Sequence, residues 1–416
     1  MNKLIEKLQK RLMPLANKIS QVMFLSALGA TFQILLPVIM IGSFACLGAF
    51  LDIPAWQNFV GSTGLGAVFM TLQSLTLSII TLYIAFVLPY QYASKLGMTP
   101  LPSAITTLMM FLILTPTELY TNIPEQWLGF PGLFTCMIVT VLVVRMNKLM
   151  EDKGIYIHMP DGVPPMVEAS FKALLPTVIC AVVGVTVSTL MAKTSFGCIH
   201  QVIYSFIQTP LQSFGLSFPS YLVMQLMTTL FMFCGIHGDA IRGIFTPLTM
   251  AASEQNLAAL AAGNSLPNII IDSFSVLCQP GGIGCTFGLA FLMAFLAKSK
   301  RMKTLGKMSI IPAIFGINEP ILFGIPIMLN PLLFIPYVLS PIVCISLSYC
   351  SIALGITPRL NGTMVNWTMP QIVSGFLAQG VPTAILQVVL ILITTAIWFP
   401  FFKMVDRQIC EEEKGV

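Results

Sequence analysis

The chain has 416 residues, of which 56% are hydrophobic and only 9% are charged, with a net charge of +5 and a mean hydropathy of +0.88. A soluble domain carries roughly 25% charged residues, so this composition excludes an ordinary soluble enzyme and favours an integral membrane protein. The ten cysteines form no CxxC pair and no cluster with histidine, which predicts buried thiols and no disulfide framework. We expect no metal, no cofactor and no nucleic-acid partner.

Long uncharged stretches predict the membrane spans. They separate Lys18 from Asp52, Asp52 from Lys95, Lys193 from Asp239, Asp272 from Lys298, and Arg359 from Lys403. Each stretch is longer than the ~20 apolar residues that cross a bilayer. Shorter apolar runs near 100–117, 130–150 and 172–193 add further spans. We therefore expect an all-α polytopic membrane protein of about ten transmembrane helices, with additional segments too broken to be plain helices.

The placement of lysine and arginine predicts the topology. The first 18 residues, "MNKLIEKLQKRLMPLANK", contain five basic residues and one acid, and "KSKRMKTLGK" (298–307) contains five basic residues and no acid. Because basic residues accumulate in cytoplasmic loops, we expect both termini on the cytoplasmic side of the cell (inner) membrane. Leucines at positions 4, 8, 12 and 15 predict an interfacial amphipathic helix there, rather than a cleavable signal peptide.

The two halves of the chain differ in character. Residues 1–215 read as regular spans, interrupted at "HMPDGVPPMVEASFKALLP" (158–176), where a loop leads into a helix and Glu168 lies four residues before Lys172. The segment 196–216 is expected to lie flat and link the halves. Residues 216–416 carry Gly, Pro and Asn at membrane depth, as in "CGIHGDAIRG" and "QPGGIGCTFG". Such irregular backbone is tolerated only inside protein or around a wet cavity, and it clusters at transporter substrate sites. We therefore expect a scaffold domain followed by a domain that binds a neutral polar solute.

One carboxylate stands in the apolar run "GINEPILFGIPIMLNP" (316–331). Keeping an ionisable group inside a membrane is costly, so Glu319 is a candidate functional residue. Pro320 follows it, and proline is favoured at the first helical position, which predicts Glu319 as a helix N-cap whose carboxylate faces free N–H groups. The carboxylate then accepts hydrogen bonds from hydroxyl groups of a ligand. The alternative is a structural cap that touches no ligand.

Two further side chains are candidates for ligand contacts. His237 in "CGIHGDAIRG" is bracketed by glycines, which allow close backbone approach, and its ring can exchange hydrogen bonds with a hydroxyl. Trp367 in "NGTMVNWTMP" offers an aromatic face to a sugar ring. The alternatives are a core histidine and a tryptophan of the interfacial belt. Asp239 and Arg242 are expected to pair with each other on a helix.

Several ordered blocks carry a family resemblance. They are "LMPLANKIS", "GIHG", "LAALAAGNSLPNI", "GGIGCTFG", "KTLGKMSIIPAIFGINEP", "GINEPILFGIPIMLNPLLFIPYVLSP" and "WTMPQIVSGFLAQG". Through them the chain resembles the membrane permease subunit (EIIC) of the lactose/cellobiose/diacetylchitobiose group of the bacterial phosphoenolpyruvate-dependent phosphotransferase system. The resemblance covers nearly the whole chain.

The resemblance implies a fold and a mechanism. It implies a dimerising half (1–215) and a sugar-binding half (216–416) with two re-entrant hairpins, which move relative to each other as an elevator. It implies that His237, Asn318 and Glu319 contact the sugar, a β-linked disaccharide, with Trp367 nearby. Glu319 would orient or deprotonate the hydroxyl that accepts phosphate. The phosphate would come from a cysteine on the cytosolic EIIB partner, charged in turn by EIIA, so no phospho-accepting residue is expected in this chain.

The chain also departs from the family pattern. Met232 stands where many relatives carry tryptophan, Met166 where many carry asparagine or a small residue, and the segment 22–33 lacks the usual charges. These changes remove an aromatic ring and an amide that would contact a disaccharide. Two other functions stay open on the residues alone. One is a proton-coupled secondary transporter with Glu319 and His237 as relay, and the other is an uncoupled sugar facilitator or sensor.

Overall fold

The computed structural model describes residues 22–50, 54–116, 123–160, 162–235, 238–325 and 327–413. The expected amphipathic helix at residues 4–15 and the candidate His237 lie outside these residues. Every regular element in the described residues is helical, which confirms the all-α prediction. These residues divide into two compact units, with the main boundary between Phe214 and Gly215 and with Phe50 and Pro54 grouped with the C-terminal unit.

The N-terminal unit consists mainly of long helices. Their bounds are α1 Met23–Phe50, α2 Pro54–Thr63, α3 Leu65–Ser74, α4 Ile80–Lys95, α5 Pro100–Leu114, α6 Leu133–Asp152, α7 Pro165–Ala192, α8 Ile199–Ile203 and α9 Thr209–Gly215. Single 3₁₀ turns at Glu125–Trp127 and Phe130–Gly132 precede α6, and a π-helical turn at Tyr204–Gln208 joins α8 to α9. The segment expected to lie flat is therefore helical with a π-helical interruption.

The C-terminal unit alternates long helices with very short ones. Their bounds are α10 Phe218–Phe233, α11 Asp239–Ala261, α12 Asp272–Leu277, α13 Phe287–Phe291, α14 Lys300–Ile314, α15 Glu319–Gly324, α16 Pro331–Ala353, α17 Val373–Gln379 and α18 Val381–Glu413. A π-helical turn at Leu292–Leu296 extends α13.

Five helical stretches in the described residues are long and apolar enough to cross a membrane. They are Met23–Gly42, Phe130–Asp152, Pro165–Ala192, Pro331–Ala353 and Val381–Glu413. The pair Ile199–Gly215 and Phe218–Phe233 makes a sixth if it forms one broken span. Several apolar helices are thus present, whereas the expected number of about ten spans is not confirmed.

The start of α7 follows from the local sequence. Pro164 is extended and Pro165 takes the first helical position, where a missing N–H costs no helical hydrogen bond. One turn later the predicted i,i+4 pair is present, because Lys172 Nζ lies 2.8 Å from Glu168 Oε1. Helices α5, α6 and α7 pack on one another in the N-terminal unit. Met110, Val139 and Cys180 lie in their shared apolar core.

Candidate functional site

The segment around Glu319 forms a sharp reversal between two helices. Helix α14 ends at Ile314, and Gly316 follows with a φ of 76°, a value that glycine adopts without strain. The carbonyl of Asn318 then accepts hydrogen bonds from the N–H groups of Ile321 and Leu322, both at 2.9 Å. Asn318 is therefore the N-cap of α15, and Glu319 is its first helical residue.

The prediction that Glu319 is the N-cap is thus wrong by one position. Proline is tolerated throughout the first helical turn, so Pro320 at the second position does not mark the cap. The Glu319 side chain is exposed. An exposed carboxylate keeps its solvation and remains accessible to a ligand.

Asn318 joins this reversal to a second loop. Its side chain is 4% exposed, and its Nδ2 donates to the carbonyl of Ile283 at 2.8 Å and to Thr286 Oγ1 at 3.1 Å. Thr286 Oγ1 in turn donates to the carbonyl of Gly281 at 2.9 Å. The amide therefore does not cap its own helix. It holds the loop of residues 279–288 against the start of α15.

Glycines allow the second loop to approach so closely. Gly282 has a φ of 82°, and a Cβ there would lie 2.7 Å from the carbonyl oxygen of Gly316. Gly284 has a φ of 92°, and a Cβ there would overlap the ring of Tyr337. The carbonyl of Gly284 accepts a hydrogen bond from Trp398 Nε1 at 3.1 Å. Tyr337 and Trp398 are both buried, so two large aromatic rings support this loop from behind.

The segment around Trp367 forms a third loop at the same place. The N–H of Gln371 donates to the carbonyl of Ile314 at 2.9 Å, and a Cβ on Gly316 would lie 2.8 Å from the carbonyl oxygen of Trp367. The Trp367 side chain is 54% exposed. We call residues 279–288, 316–320 and 366–371 the three-loop cluster. It presents an exposed carboxylate and a half-exposed indole on backbone that is tightly held.

A buried glutamine holds the end of the third loop. Ile372 has a φ of 73°, which is strained for a β-branched residue. Gln387 is 0% exposed, and its Oε1 accepts from the N–H groups of Ile372 at 2.7 Å and Gly375 at 3.0 Å. Its Nε2 donates to Gln371 Oε1 at 3.1 Å. The Gln387 side chain thus accepts hydrogen bonds from the N–H groups of the strained turn and links this turn to Gln371 in the three-loop cluster.

A series of hydrogen-bonded polar side chains begins at Gln279, the first residue of the loop 279–288, which we call the glycine loop. An Arg242 guanidinium nitrogen donates to Gln279 Oε1 at 2.6 Å, and Gln279 Nε2 donates to Gln225 Oε1 at 2.7 Å. Gln225 Nε2 donates to Thr229 Oγ1 at 3.2 Å. The expected partner of Arg242 was Asp239, whose side chain lies outside the described part of the structure.

The position after His237 is described and lies beside the three-loop cluster. A Cβ on Gly238 would lie 3.1 Å from Ile283 Cδ1, and the carbonyl of Ile283 is the group that binds Asn318. The backbone that leaves the "GIHG" segment therefore packs against the glycine loop. Of the four candidate residues, the structure brings Asn318, Glu319 and Trp367 to one place.

Comparison with known proteins adds a second line of argument. Residues 29–341 match the sequence profile of the family described as "Phosphotransferase system, EIIC". The chain belongs to this family. The EIIC match includes the first two loops of the three-loop cluster, and it confirms the resemblance read from the sequence motifs.

Individual EIIC relatives match over almost the whole chain. The cellobiose-specific EIIC component of Geobacillus stearothermophilus is 34% identical over 100% of this chain and 97% of its own length. The lactose-specific EIICB component of Streptococcus mutans is 30% identical over 99% of this chain and 74% of its own length. The crystal structure of ChbC, the IIC component of the N,N'-diacetylchitobiose-specific phosphotransferase system, superposes with a TM-score of 0.93. It is 32% identical and covers 98% of this chain and 99% of that chain.

Sequence reasoning missed the amides that hold the three-loop cluster together. Gln225, Gln279 and Gln387 each interrupt an apolar run, as in "YLVMQLMTTL" and "AILQVVLIL". A polar amide in such a run needs internal partners, which is a signal that the sequence contains. Within the described ranges, no group of three His, Cys, Asp or Glu side chains is placed to hold a metal ion.

Proposed function

We propose that the chain is the sugar-translocating subunit of a phosphotransferase complex and that the three-loop cluster binds the sugar. The observation that supports this most directly is the exposed Glu319 carboxylate at the first helical position of α15, beside the half-exposed Trp367. A carboxylate accepts hydrogen bonds from sugar hydroxyls, and an aromatic face packs against the C–H groups of a sugar ring. His237 is proposed as a further sugar contact.

The proposed substrate is a β-linked disaccharide. Its support is that the relatives reported above are named for cellobiose, lactose and N,N'-diacetylchitobiose. Asn318 is proposed to contact the sugar through its Oδ1 atom, because its Nδ2 already donates hydrogen bonds to Ile283 and Thr286.

Glu319 is proposed to assist phosphoryl transfer from a phosphocysteine on an EIIB partner. The sugar hydroxyl oxygen forms a new bond to phosphorus while the phosphorus–sulfur bond breaks. The hydroxyl proton passes to Glu319 as general base, and the electron pair of the broken bond stays on the cysteine sulfur. The EIICB relative, of which this chain matches 74%, supports EIIB as the partner. EIIA would recharge that cysteine.

We also propose how the two units of the chain divide the work of transport. The N-terminal unit is the dimerising scaffold, and the C-terminal unit carries the sugar by an elevator motion. About ten spans and two re-entrant hairpins are proposed, with both termini in the cytoplasm. The short helices α12, α15 and α17 support the hairpins, because each contains only six or seven residues and none of them spans a bilayer.

A binding measurement tests the site. Purified protein is titrated with cellobiose, lactose and diacetylchitobiose, wild type beside Glu319→Gln. Removing one charge-assisted hydrogen bond is expected to weaken binding at least about tenfold. Glu411→Gln is the matched control, since it neutralises an exposed carboxylate of the same unit that pairs with Arg407. Equal affinity of wild type and Glu319→Gln for every sugar would contradict the assignment.

A transport measurement tests the coupling. Proteoliposomes with EIIA, EIIB and the general phosphotransferase components should accumulate sugar phosphate only when phosphoenolpyruvate is supplied. Uptake that persists without EIIB but collapses with the proton gradient would identify a proton-coupled transporter. Uptake that needs neither would identify a facilitator.

A further inference from the structure

Helix α14 begins with a dense group of exposed cations. Five side chains between residues 298 and 307 are basic, all of them are exposed, and no acidic residue lies among them: Lys298, Lys300, Arg301, Lys303 and Lys307. None of the five forms an ion pair with a described residue. We call these five residues the basic end of α14. Their charge is therefore open to a partner.

This placement of cations is unfavourable for the helix itself. Ser299 is the N-cap of α14, because its Oγ accepts a hydrogen bond from the N–H of Met302 at 3.1 Å. Lys300, Arg301 and Lys303 therefore occupy three of the first four helical positions. The helix dipole favours anions at an N-terminus and disfavours cations there. Local rules of this kind are broken mainly at functional sites, so the basic end indicates a role beyond helix formation.

Two carboxylates of α18 offset this cost without covering the cations. Asp406 accepts hydrogen bonds from the N–H groups of residues 298 and 299 at 2.9 and 3.0 Å. Glu413 accepts from the N–H groups of residues 300 and 301 at 3.1 and 2.8 Å. Of the other acids at this end of α18, Glu411 pairs with Arg407, and Glu412 is exposed. Because Asp406 and Glu413 bind backbone groups, the five basic side chains stay exposed and the surface stays basic.

The same contacts place the end of α18 beside the basic end of α14. Glu413 is the last residue of α18, and its carboxylate also accepts a hydrogen bond from Ser299 Oγ at 2.8 Å. The EIICB relative of Streptococcus mutans matches 99% of this chain over 74% of its own length, and its name gives the C component before the B component. In a chain that joins a B component after the C component, the B component begins beside the basic end of α14.

Helix α14 also connects this surface to the three-loop cluster. It contains 15 residues, which corresponds to a length of about 22 Å. At its other end the carbonyl of Ile314 accepts the hydrogen bond from the N–H of Gln371 at 2.9 Å. A small domain is about 30 Å across, so one that docks at the basic end is large enough to reach the cluster.

We propose that the basic end of α14 is the docking surface for EIIB, which meets it with an acidic face. This inference rests on the proposed function, because it assigns the place where the phosphate donor binds. The cations attract and orient EIIB and take no part in phosphoryl transfer. Charges of this kind govern the encounter between two proteins. They therefore determine the KM for phosphorylated EIIB, whereas kcat and sugar affinity depend on the three-loop cluster.

Sugar phosphorylation by the purified full chain in detergent tests the proposal. Phosphorylated EIIB components of the cellobiose, lactose and N,N'-diacetylchitobiose systems are supplied at increasing concentration, and the component that gives the highest rate is used. Lys303→Glu combined with Lys307→Glu is expected to raise the KM for phosphorylated EIIB at least about tenfold, with kcat and sugar affinity unchanged. Both side chains are exposed, and acids near a helix N-terminus are favourable, so this variant keeps its fold. The KM of the wild type should rise with ionic strength more steeply than that of the variant.

Lys95→Glu combined with Lys153→Glu is the matched control, because it makes the same change of net charge at two exposed lysines of the N-terminal unit. Its KM should equal that of the wild type. An unchanged KM in the Lys303 and Lys307 variant, or an equal rise in the control, would overturn the docking surface while EIIB-dependent turnover still supported the proposed function. Phosphorylation that needs no EIIB would contradict the proposed function itself. If the variant kept its KM and instead lost bound phosphatidylglycerol in native mass spectrometry, the cations would bind lipid headgroups and the proposal would be wrong.

Discussion

The two units pair their backbone N–H and C=O groups in different ways. In the N-terminal unit α1 and α7 each run for 28 residues, and most of their backbone groups pair within the helix despite one internal proline in each, Pro37 and Pro176. In the C-terminal unit α12, α15 and α17 contain only six or seven residues. A short helix leaves most of its N–H and C=O groups unpaired at its ends, so other groups must satisfy them.

The side chains reflect this difference. In both units hydroxyls such as those of Thr107 and Thr394 bond to the carbonyls four residues earlier in their own helices. In the C-terminal unit the amides of Asn318, Gln387 and Asn256 bond to the backbone of other segments. Irregular backbone at membrane depth depends on such partners.

Backbone strain is also concentrated in the C-terminal unit. Among the described residues, the non-glycine positions with positive φ are Cys285, Leu329 and Ile372, and all three lie in the C-terminal unit. Strained positions persist only where their surroundings determine them, and they concentrate at functional sites. The comparison indicates that the C-terminal unit gives up local regularity around the proposed sugar site.

The largest effect is expected from Gly284→Ala. Its φ of 92° is strained for alanine, and the new Cβ would overlap the buried Tyr337 ring. Together these terms should lower the free energy of unfolding by about 2–5 kcal/mol, seen as a lower melting temperature in detergent.

Gly243→Ala is the control for this substitution. Gly243 lies inside α11 with nothing within 4 Å of its Cβ position, so alanine should be neutral or stabilising by up to about 1 kcal/mol. If both variants melted at the same temperature, the glycine loop would not depend on its left-handed conformation.

The next effect compares a buried side-chain bond in each unit. Gln387→Leu leaves the N–H groups of Ile372 and Gly375 without their acceptor, which should cost at least about 2 kcal/mol of unfolding free energy. Thr107→Val removes only a second bond to a carbonyl within a helix and should cost less than about 1 kcal/mol. Chemical denaturation in detergent measures both, and equal costs would erase the contrast between the units.

Within the proposed site, Asn318→Ala and Glu319→Gln are compared for their effects on stability and on sugar binding. It removes both bonds to the glycine loop, so stability should fall by about 1–3 kcal/mol and sugar binding should weaken with it. Glu319→Gln affects an exposed side chain and should weaken binding with the melting temperature unchanged. Stability and affinity are measured on the same preparations. An Asn318→Ala protein as stable as wild type would show that the two loops do not need this bond.

The sequence predicts the N-terminal unit better than the site, for a physical reason. The apolar runs expected near 100–117, 130–150 and 172–193 correspond to α5 at Pro100–Leu114, α6 at Leu133–Asp152 and α7 at Pro165–Ala192. These helices follow from local hydrophobicity, which a single stretch of sequence contains. The Glu168–Lys172 pair is equally local and was found on that basis.

The contacts of the site are not local. Asn318 bonds to Ile283, which is 35 positions away, and Trp398 bonds to Gly284, which is 114 positions away. Glycine, proline and asparagine in these segments show that the backbone is irregular, but they do not show which segments meet. The N-cap prediction for Glu319 was wrong for a related reason, because the cap depends on which carbonyl accepts the first helical bonds.

The smallest change in stability is expected from Trp367→Leu. The indole is 54% exposed, so its removal should alter the unfolding free energy by less than about 0.5 kcal/mol. If it stacks on the sugar, affinity should fall roughly fivefold, since an aromatic contact contributes about 1 kcal/mol. Trp56→Leu is the counterpart in the N-terminal unit, where Trp56 Nε1 donates to the carbonyl of Gly48 at 2.7 Å. That variant should lose stability and keep its affinity, so the two tryptophans should show opposite responses. A Trp367→Leu protein with unchanged affinity for every disaccharide would remove the indole from the proposed site and leave Glu319 as its exposed contact.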